Sequence, residues 1–398
     1  MTESHCCSLD VIFVDDEPRL LDGLRRQFRS YRTEWAMRFA NSGEEALRML
    51  REEPADVVVT DMRMPGMNGV ELLNQVRQDS PGTIRFVLSG QTDQSELLDD
   101  IGNIHQFLQK PCEIESLEHA IRRTCTLAAM LESPKLREIV SGIHSLPIIS
   151  ESYNKLVRAL EDESCDFDAI TEIVEQDVGL SVKILQLVNS AFFGIPRKTA
   201  SIHDAIVMIG TQNLLHLAMS AQIFDTLSQS SMSKDVVTKI WGVSNHLGEY
   251  TRHLAIRGGL STESADGVRF AGVFSHIGRA IIAWTMPFEF EEIIAAAREN
   301  QTPIRDEEIK TIGVPQEYVG AYALGLWGFS DQIVESVARQ CTPSTSMVKN
   351  HEHPLLWLHL ARAMMKPSEY TDRIGFDMEW AQSIGFSDQD LNDLRSAA

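Results

Sequence analysis

Between Leu9 and about residue 126 the chain alternates two kinds of hydrophobic pattern. Short unbroken apolar runs end in acidic or small polar residues: LDVIFVDDE, VVVTDMRMPGMNG, IRFVLSG and the shorter FLQKP. Between them lie RLLDGLRRQF, SGEEALRMLREE, GVELLNQVRQD and IESLEHAIRRTCTLAAML, whose apolar residues recur three and four apart. That spacing places them on one face of a helix. Ser42 with Glu45 three residues later predicts a capped helix start. Continuous Val/Ile runs separated by amphipathic helices predict a parallel sheet covered on both faces, since the crossover helices leave neither face in water.

Beyond residue 126 the strand pattern stops. CTLAAMLESPKLREIVSGIHSLPII reads as an extended last helix, broken near Ser133-Pro134, then a second short helix. FDAITEIVEQD, LSVKILQLVNSAFF, IHDAIVMIG, TQNLLHLAMSAQIFDTL, EFEEIIAAAREN and SDQIVESVARQ all carry helical spacing. Ser201 with Asp204, and Thr211, are helix starts, and Gly194-Ile195-Pro196 is a stop. The second half is therefore expected to be an all-α bundle of short helices. The expected division is residues 1–126 for the α/β domain, 127–140 for a linker helix and 141–398 for the helical domain with a C-terminal extension.

A chain of 398 residues can bury two or three cores. Its formal charge of −21 is shared by both halves, which argues against direct DNA binding, since that relies on clustered Lys and Arg. No apolar run approaches the roughly 18 residues of a membrane span. The opening residues show no basic leader with an apolar core, so no export signal is expected. Six scattered cysteines without CxxC spacing fit reduced thiols and a cytoplasmic location.

Ligands of doubly wound sheets sit beyond the carboxyl ends of the strands. Here those ends carry Asp15 and Asp16, then Asp61, Ser89 and Lys110. Any one Asp could simply cap a helix, but the set is chemically coherent. Crowded carboxylates need a cation, and oxygen-only ligands suit Mg²⁺. A carboxylate accepts a phosphoryl group when cations offset the charge on that group. VDDE, TDMRMPGMNG, VLSG and FLQKP closely resemble the receiver domain of two-component response regulators over about residues 9–126. The resemblance implies a flavodoxin-like sheet of five strands, with Asp61 as the phosphorylation site. It also implies Mg²⁺ held by Asp16, Asp61 and the Arg63 main-chain carbonyl, with Asp15 assisting through water. Ser89 and Phe107 would be the coupled switch positions, and Lys110 a phosphoryl contact.

SLPIISESYNKL, EQDVGLSVKILQLVNSAFFG and SIHDAIVMIGTQNL resemble the HDOD domain, the HD-related output domain, over roughly residues 136–335, with Asn189-Ser190 the most specific pair. Catalytic HD and HD-GYP relatives bind metal through His and Asp on neighbouring helices. At the corresponding places this chain has Val243, then Ser275-His276 in FAGVFSHIGR, then Gln316, and finally Gln340-Cys341. Val cannot ligate, and Ser and Gln are poor divalent ligands at neutral pH. His246 and His253, two helical turns apart, are too distant for one metal. His351 and His353 around Glu352 read as a solvated loop, and His276 as a core or cleft histidine with a backbone partner.

The implied function is a phosphorylation-switched regulator without catalytic HD chemistry, acting through protein contact. Its implied partners are a sensor histidine kinase and a downstream signalling protein, with cyclic-di-GMP signalling as a frequent setting of such domains and a second copy of the chain as a further candidate. Two alternatives stay open: a divergent HD-type phosphohydrolase, and a non-catalytic nucleotide sensor.

Overall fold

A computed structural model describes residues 9–89, 104–110, 114–131, 133–141, 150–161, 166–189, 199, 201–211, 214, 231–327 and 329–396. The first half is a five-stranded parallel sheet in the order β2-β1-β3-β4-β5, built from β1 (Leu9–Val14), β2 (Trp35–Ala40), β3 (Val57–Asp61), β4 (Ile84–Ser89) and β5 (Gln106–Gln109). Helices α1 (Pro18–Gln27), α2 (Gly43–Glu52), α3 (Gly69–Asp79) and α4 (Ile114–Met130) accompany it. The expected doubly wound architecture is present. Val11 to Val14 and Val57 to Val59 are buried, as strands covered on both faces should be. Ser42 caps α2 by accepting from Glu45 N, while Glu45 Oε2 accepts from Asn41 N, one residue before the cap.

The apolar pattern does not signal β2, WAMRFA. It is an edge strand whose Arg38 is held by Asp10 Oδ1 at 2.8 Å and by the carbonyls of Met49, Glu53 and Pro54. A charged residue with that many partners fits a sheet edge where an apolar run would otherwise stand.

The boundary expected at residue 126 falls inside α4, which runs unbroken to Met130. The break comes before α5 (Pro134–Ser141). The described part of the second half is helical: α6 (Ser150–Glu161), α7 (Phe167–Glu175), α8 (Val178–Asn189), α9 (Ile202–Ile209), α10 (Ser231–Arg257), α11 (Thr262–Val273), α12 (Ile277–Thr285), α13 (Pro287–Asn300), α14 (Ile304–Ile312), α15 (Gln316–Leu326), α16 (Asp331–Arg339), α17 (Pro354–Met364), α18 (Met378–Ser383) and α19 (Asp388–Ser396). Asn189 closes a ring with Thr199, donating to its carbonyl at 2.7 Å and accepting from its N–H at 2.8 Å. Ser190, Gly194-Ile195-Pro196 and most of TQNLLHLAMSAQIFDTL lie outside the described residues.

One apolar core runs from the sheet through Leu117, Ile121, Leu127 and Leu131 into α15 and α16 of the helical half. Leu247, Leu254, Trp357, Trp380 and Phe386 belong to a second core that packs the C-terminal helices. Among the described residues no helix is long and apolar enough to cross a membrane.

Candidate functional site

Parallel strands deliver their terminal residues to the same edge. Asp15 and Asp16 follow β1, Asp61 ends β3 and Lys110 follows β5. Oxygen atoms of Asp15, Asp16 and Asp61 all lie within 4.8 Å of one another. Lys110 Nζ bridges two of them, 3.0 Å from Asp15 Oδ2 and 2.7 Å from Asp61 Oδ1. Asp15 is buried, and its Oδ1 accepts from Glu17 N at 2.9 Å, which aims the second oxygen at Lys110.

Three carboxylates face one ammonium. Burial pushes the Asp61 carboxyl above its ordinary value and Asp15 adds to the effect, with Lys110 only partly offsetting them. Burial works against the Lys110 ammonium, but hydrogen bonds to Asp61 and Asp15 prevail and raise it. An all-oxygen cluster short of positive charge suits a hard cation such as Mg²⁺, so these residues fit the ion that the sequence implies.

Loop backbone also sets the position of Asp61. Thr60 Oγ1 donates to Asp61 O, and Gly69 N donates to Met62 O. A side chain at Gly69 would overlap Asp61 O and come within 3.0 Å of its carbonyl carbon. The glycine after MRMPGMN therefore lets α3 begin directly against the carboxylate-bearing strand end. Arg63 lies in this loop, two residues beyond Asp61. Ser89 and Phe107 stand in β4 and β5, and their side chains lie outside the described ones.

In the helical half, three of the positions aligned with metal ligands, Ser275, Gln316 and Gln340, come together. Ser275 O accepts from Gln316 Nε2 at 2.9 Å and from Gln340 Nε2 at 2.8 Å. Gln316 Oε1 accepts from Arg279 N at 3.2 Å, and Gln340 Oε1 from Arg362 Nη1 at 2.8 Å. Both amides are thus committed to neighbours, and Ser275, Gln316 and Gln340 are all buried.

His276 differs from expectation, because its ring meets side chains and not backbone. Nδ1 lies 2.9 Å from Ser275 Oγ and 3.3 Å from Ser244 Oγ, while Nε2 is buried without a hydrogen-bond partner among the described residues. Burial first, then the charges of Arg362 and Arg279, hold this imidazole well below 6.5, so it is neutral. Val243 precedes Ser244 on α10, and it is Ser244 that reaches the histidine. The sequence reading missed Ser244. A hydroxyl one place after the aligned ligand was the available signal.

Arg279 crosses the same region. It contacts Glu308 Oε1 at 2.7 Å, Tyr370 O at 2.6 Å and Asp372 Oδ2 at 3.3 Å, and Glu308 Oε2 accepts from Gln316 N. His359, which the sequence reading did not single out, accepts from Asp377 N through Nε2 and so donates through Nδ1 to Gln340 O at 2.8 Å. His246 and His253 are both exposed on α10 and do not converge. His351 and Glu352 are exposed in the turn before α17, as a solvated loop would place them, while His353 departs from that reading: it is partly buried, its Nδ1 accepts from Leu355 N at the start of α17, and its Nε2 lies 3.8 Å from Glu335.

Comparison with known proteins gives two family matches. The response regulator receiver domain covers residues 11–122, and the HDOD domain covers residues 146–343. The hydrogenase transcriptional regulatory protein HoxA of Cupriavidus necator is 36% identical over 194 residues, 45% of this chain and 39% of HoxA. The virulence sensor protein BvgS of Bordetella parapertussis is 30% identical over 178 residues, 42% of this chain and 14% of BvgS. The chain thus spans less than half the length of either relative. Among solved structures, the MmoQ response regulator of Methylococcus capsulatus is similar at 18% identity and a TM-score of 0.44, over 63% of this chain and 97% of that one.

Proposed function

Because this chain joins a response regulator receiver domain to an HDOD domain, we propose that it is a response regulator in which Asp61 is the phosphoacceptor and the HDOD half carries the signal onward by protein contact. The observation that supports this most is Lys110 bridging Asp15 and Asp61 inside a cluster of three carboxylates. A phosphohistidine of a sensor kinase is the fitting donor. An Asp61 oxygen attacks phosphorus, the P–N bond breaks, and its electron pair returns to the imidazole of the donor. Asp15, Asp16, Asp61 and the Arg63 carbonyl would hold Mg²⁺, which when bound offsets charge on the phosphoryl oxygens. Lys110, already 2.7 Å from Asp61, supplies the protein's own positive charge. Ser89 and Phe107 are the proposed switch pair.

For the HDOD half, the reading without catalysis is supported by how its polar groups are used. The side-chain amides of Gln316 and Gln340 are bonded to the Ser275 main-chain carbonyl, to Arg279 N and to Arg362, and Ser275 Oγ lies 2.9 Å from His276 Nδ1. The downstream partner is then a signalling protein that recognises a surface. Labelling with a small phosphoryl donor in Mg²⁺ tests the first part: the parent chain should take up stoichiometric phosphate and Asp61→Asn none. Labelling of the variant to the same extent on an aspartate refutes the assignment.

A further inference from the structure

We propose that the hairpin of α15 and α16 is the lever by which the receiver acts on the buried Ser275 centre. The receiver holds the hairpin at its bend, and the two outer ends of the hairpin hold Ser275. The proposal rests on the phosphoacceptor reading of Asp61 for its trigger, and on separate observations for its path.

At the bend, three receiver side chains grip a short stretch. Gln106, in β5, donates through Nε2 to Gly325 O at 2.7 Å. Arg123, in α4, donates to Phe329 O at 2.5 Å and contacts Asp331 Oδ1 at 2.6 Å. Leu127 packs against Gly325 so closely that any side chain there would overlap its Cδ1. Gly325 O belongs to the last turn of α15, where carbonyls lack the N–H donor of a following turn, so Gln106 adds a side-chain donor there. Arg123 thus ties the turn between the two helices, Phe329 O, to the first residue of α16, Asp331. Gln106 directly precedes Phe107 in the strand that leads to Lys110, so a displacement of β5 at the phosphoacceptor reaches Gly325 through one side chain.

At the other end, Gln316 opens α15 and Gln340 follows α16, and both donate to Ser275 O. α15 has 11 residues and α16 has 9, so bend and outer ends lie roughly 13–16 Å apart along the helices. Almost every residue of α15 is buried, so the helix is closely packed and passes strain along its length. Near its N-terminus the backbones of Gly278 and Gly320 touch, making a tight pivot against α12. A shift at the bend must then appear at Ser275, whose neighbour His276 has the unpartnered Nε2.

The test uses the full chain, with beryllofluoride and Mg²⁺ as the phosphoryl mimic and hydrogen exchange as the readout. In the parent, exchange should change at residues 57–62 and also, at least about fivefold, at residues 275–280 and 337–341, since couplings of this kind usually amount to 5–150-fold. Gln106→Met with Arg123→Met keeps the side-chain volume and should abolish the distant change while keeping the local one. Asp331→Asn, at a half-exposed position, tests the same contact should the double variant fold poorly, and it should weaken the distant change. A receiver that responds while residues 275–280 stay unchanged overturns the lever and leaves the phosphoacceptor intact. A distant change that persists in the variants also overturns it. A parent in which residues 57–62 do not respond to the mimic overturns the phosphoacceptor reading, and the lever with it.

Discussion

Replacing Gly278 by Ala should be among the costlier single changes in the helical half. At an ordinary helical position the exchange stabilises by up to about 1 kcal/mol, because glycine loses more backbone freedom on folding. At Gly278 the added Cβ would overlap Gln316 O, lie 2.6 Å from Gly320 N and 2.9 Å from the Gln316 carbonyl carbon, against ordinary contacts of 3.4–4 Å. These are backbone atoms of α15, so no side chain can swing away and the helices must part. Overpacking of this kind costs about 1–3 kcal/mol. Moving Gln316 also weakens its bonds to Glu308, Ser275 and Arg279, each worth about 1 kcal/mol. A net loss of about 2–4 kcal/mol follows. Gly267 is the control: it lies in α11 with nothing within 4 Å of an added Cβ, so Gly267→Ala should gain up to about 1 kcal/mol. Urea denaturation followed by tryptophan fluorescence reads the right half, since Trp241, Trp284, Trp327, Trp357 and Trp380 lie there and only Trp35 in the receiver. If the two variants agree within about 0.5 kcal/mol, the backbone contact between α12 and α15 is not as described.

Asp61 has a raised carboxyl pKa, so its stabilising contribution is present below the ordinary carboxylate range and lost as pH rises through the raised value. Asp61→Asn should therefore resist urea better than the parent near neutral pH, and a less resistant variant would contradict a carboxyl raised by burial. The depressed His276 has the opposite sign: its contribution is present above about 6.5 and lost as pH falls below it, because the unfolded ring then takes up a proton that the folded one refuses. Since His353 and His359 are depressed by burial too, His276→Asn should lessen the stability loss between about pH 7 and pH 5.5 without removing it, and an unchanged slope would count against a neutral buried ring. Leu127→Ala, at the joint between the halves, should cost about 2 kcal/mol in the same urea assay, and no loss would mean that the contact with Gly325 contributes nothing. Elemental analysis of the dialysed protein should find no stoichiometric Fe, Mn or Zn, and about one such ion per chain would reopen the phosphohydrolase reading.

The amino-acid order alone carried the receiver fold and the gathering of its carboxylates and Lys110. Burial on both faces forces β1, β3 and β4 into apolar runs, and a parallel sheet necessarily gathers Asp15, Asp61 and Lys110 at one edge, so a local pattern implies a three-dimensional cluster. Helical spacing likewise marked α7, α8 and α16, and Ser42 its own capping role. Local pattern fails where pairing is distant. β2 hides because an edge strand can hold Arg38 when four neighbouring groups take up its donors. His276 has the same spacing whether it meets a carbonyl or a serine, and only the packing of α10 against α12 brings Ser244 to it across 32 positions. Gln340 and Ser275 are separated by 65 positions, and Gln106 and Gly325 by 219. Every polar residue in a sequence has many potential partners, and which one it takes is decided by close packing, because a buried group must be satisfied by whatever the folded helices bring within reach.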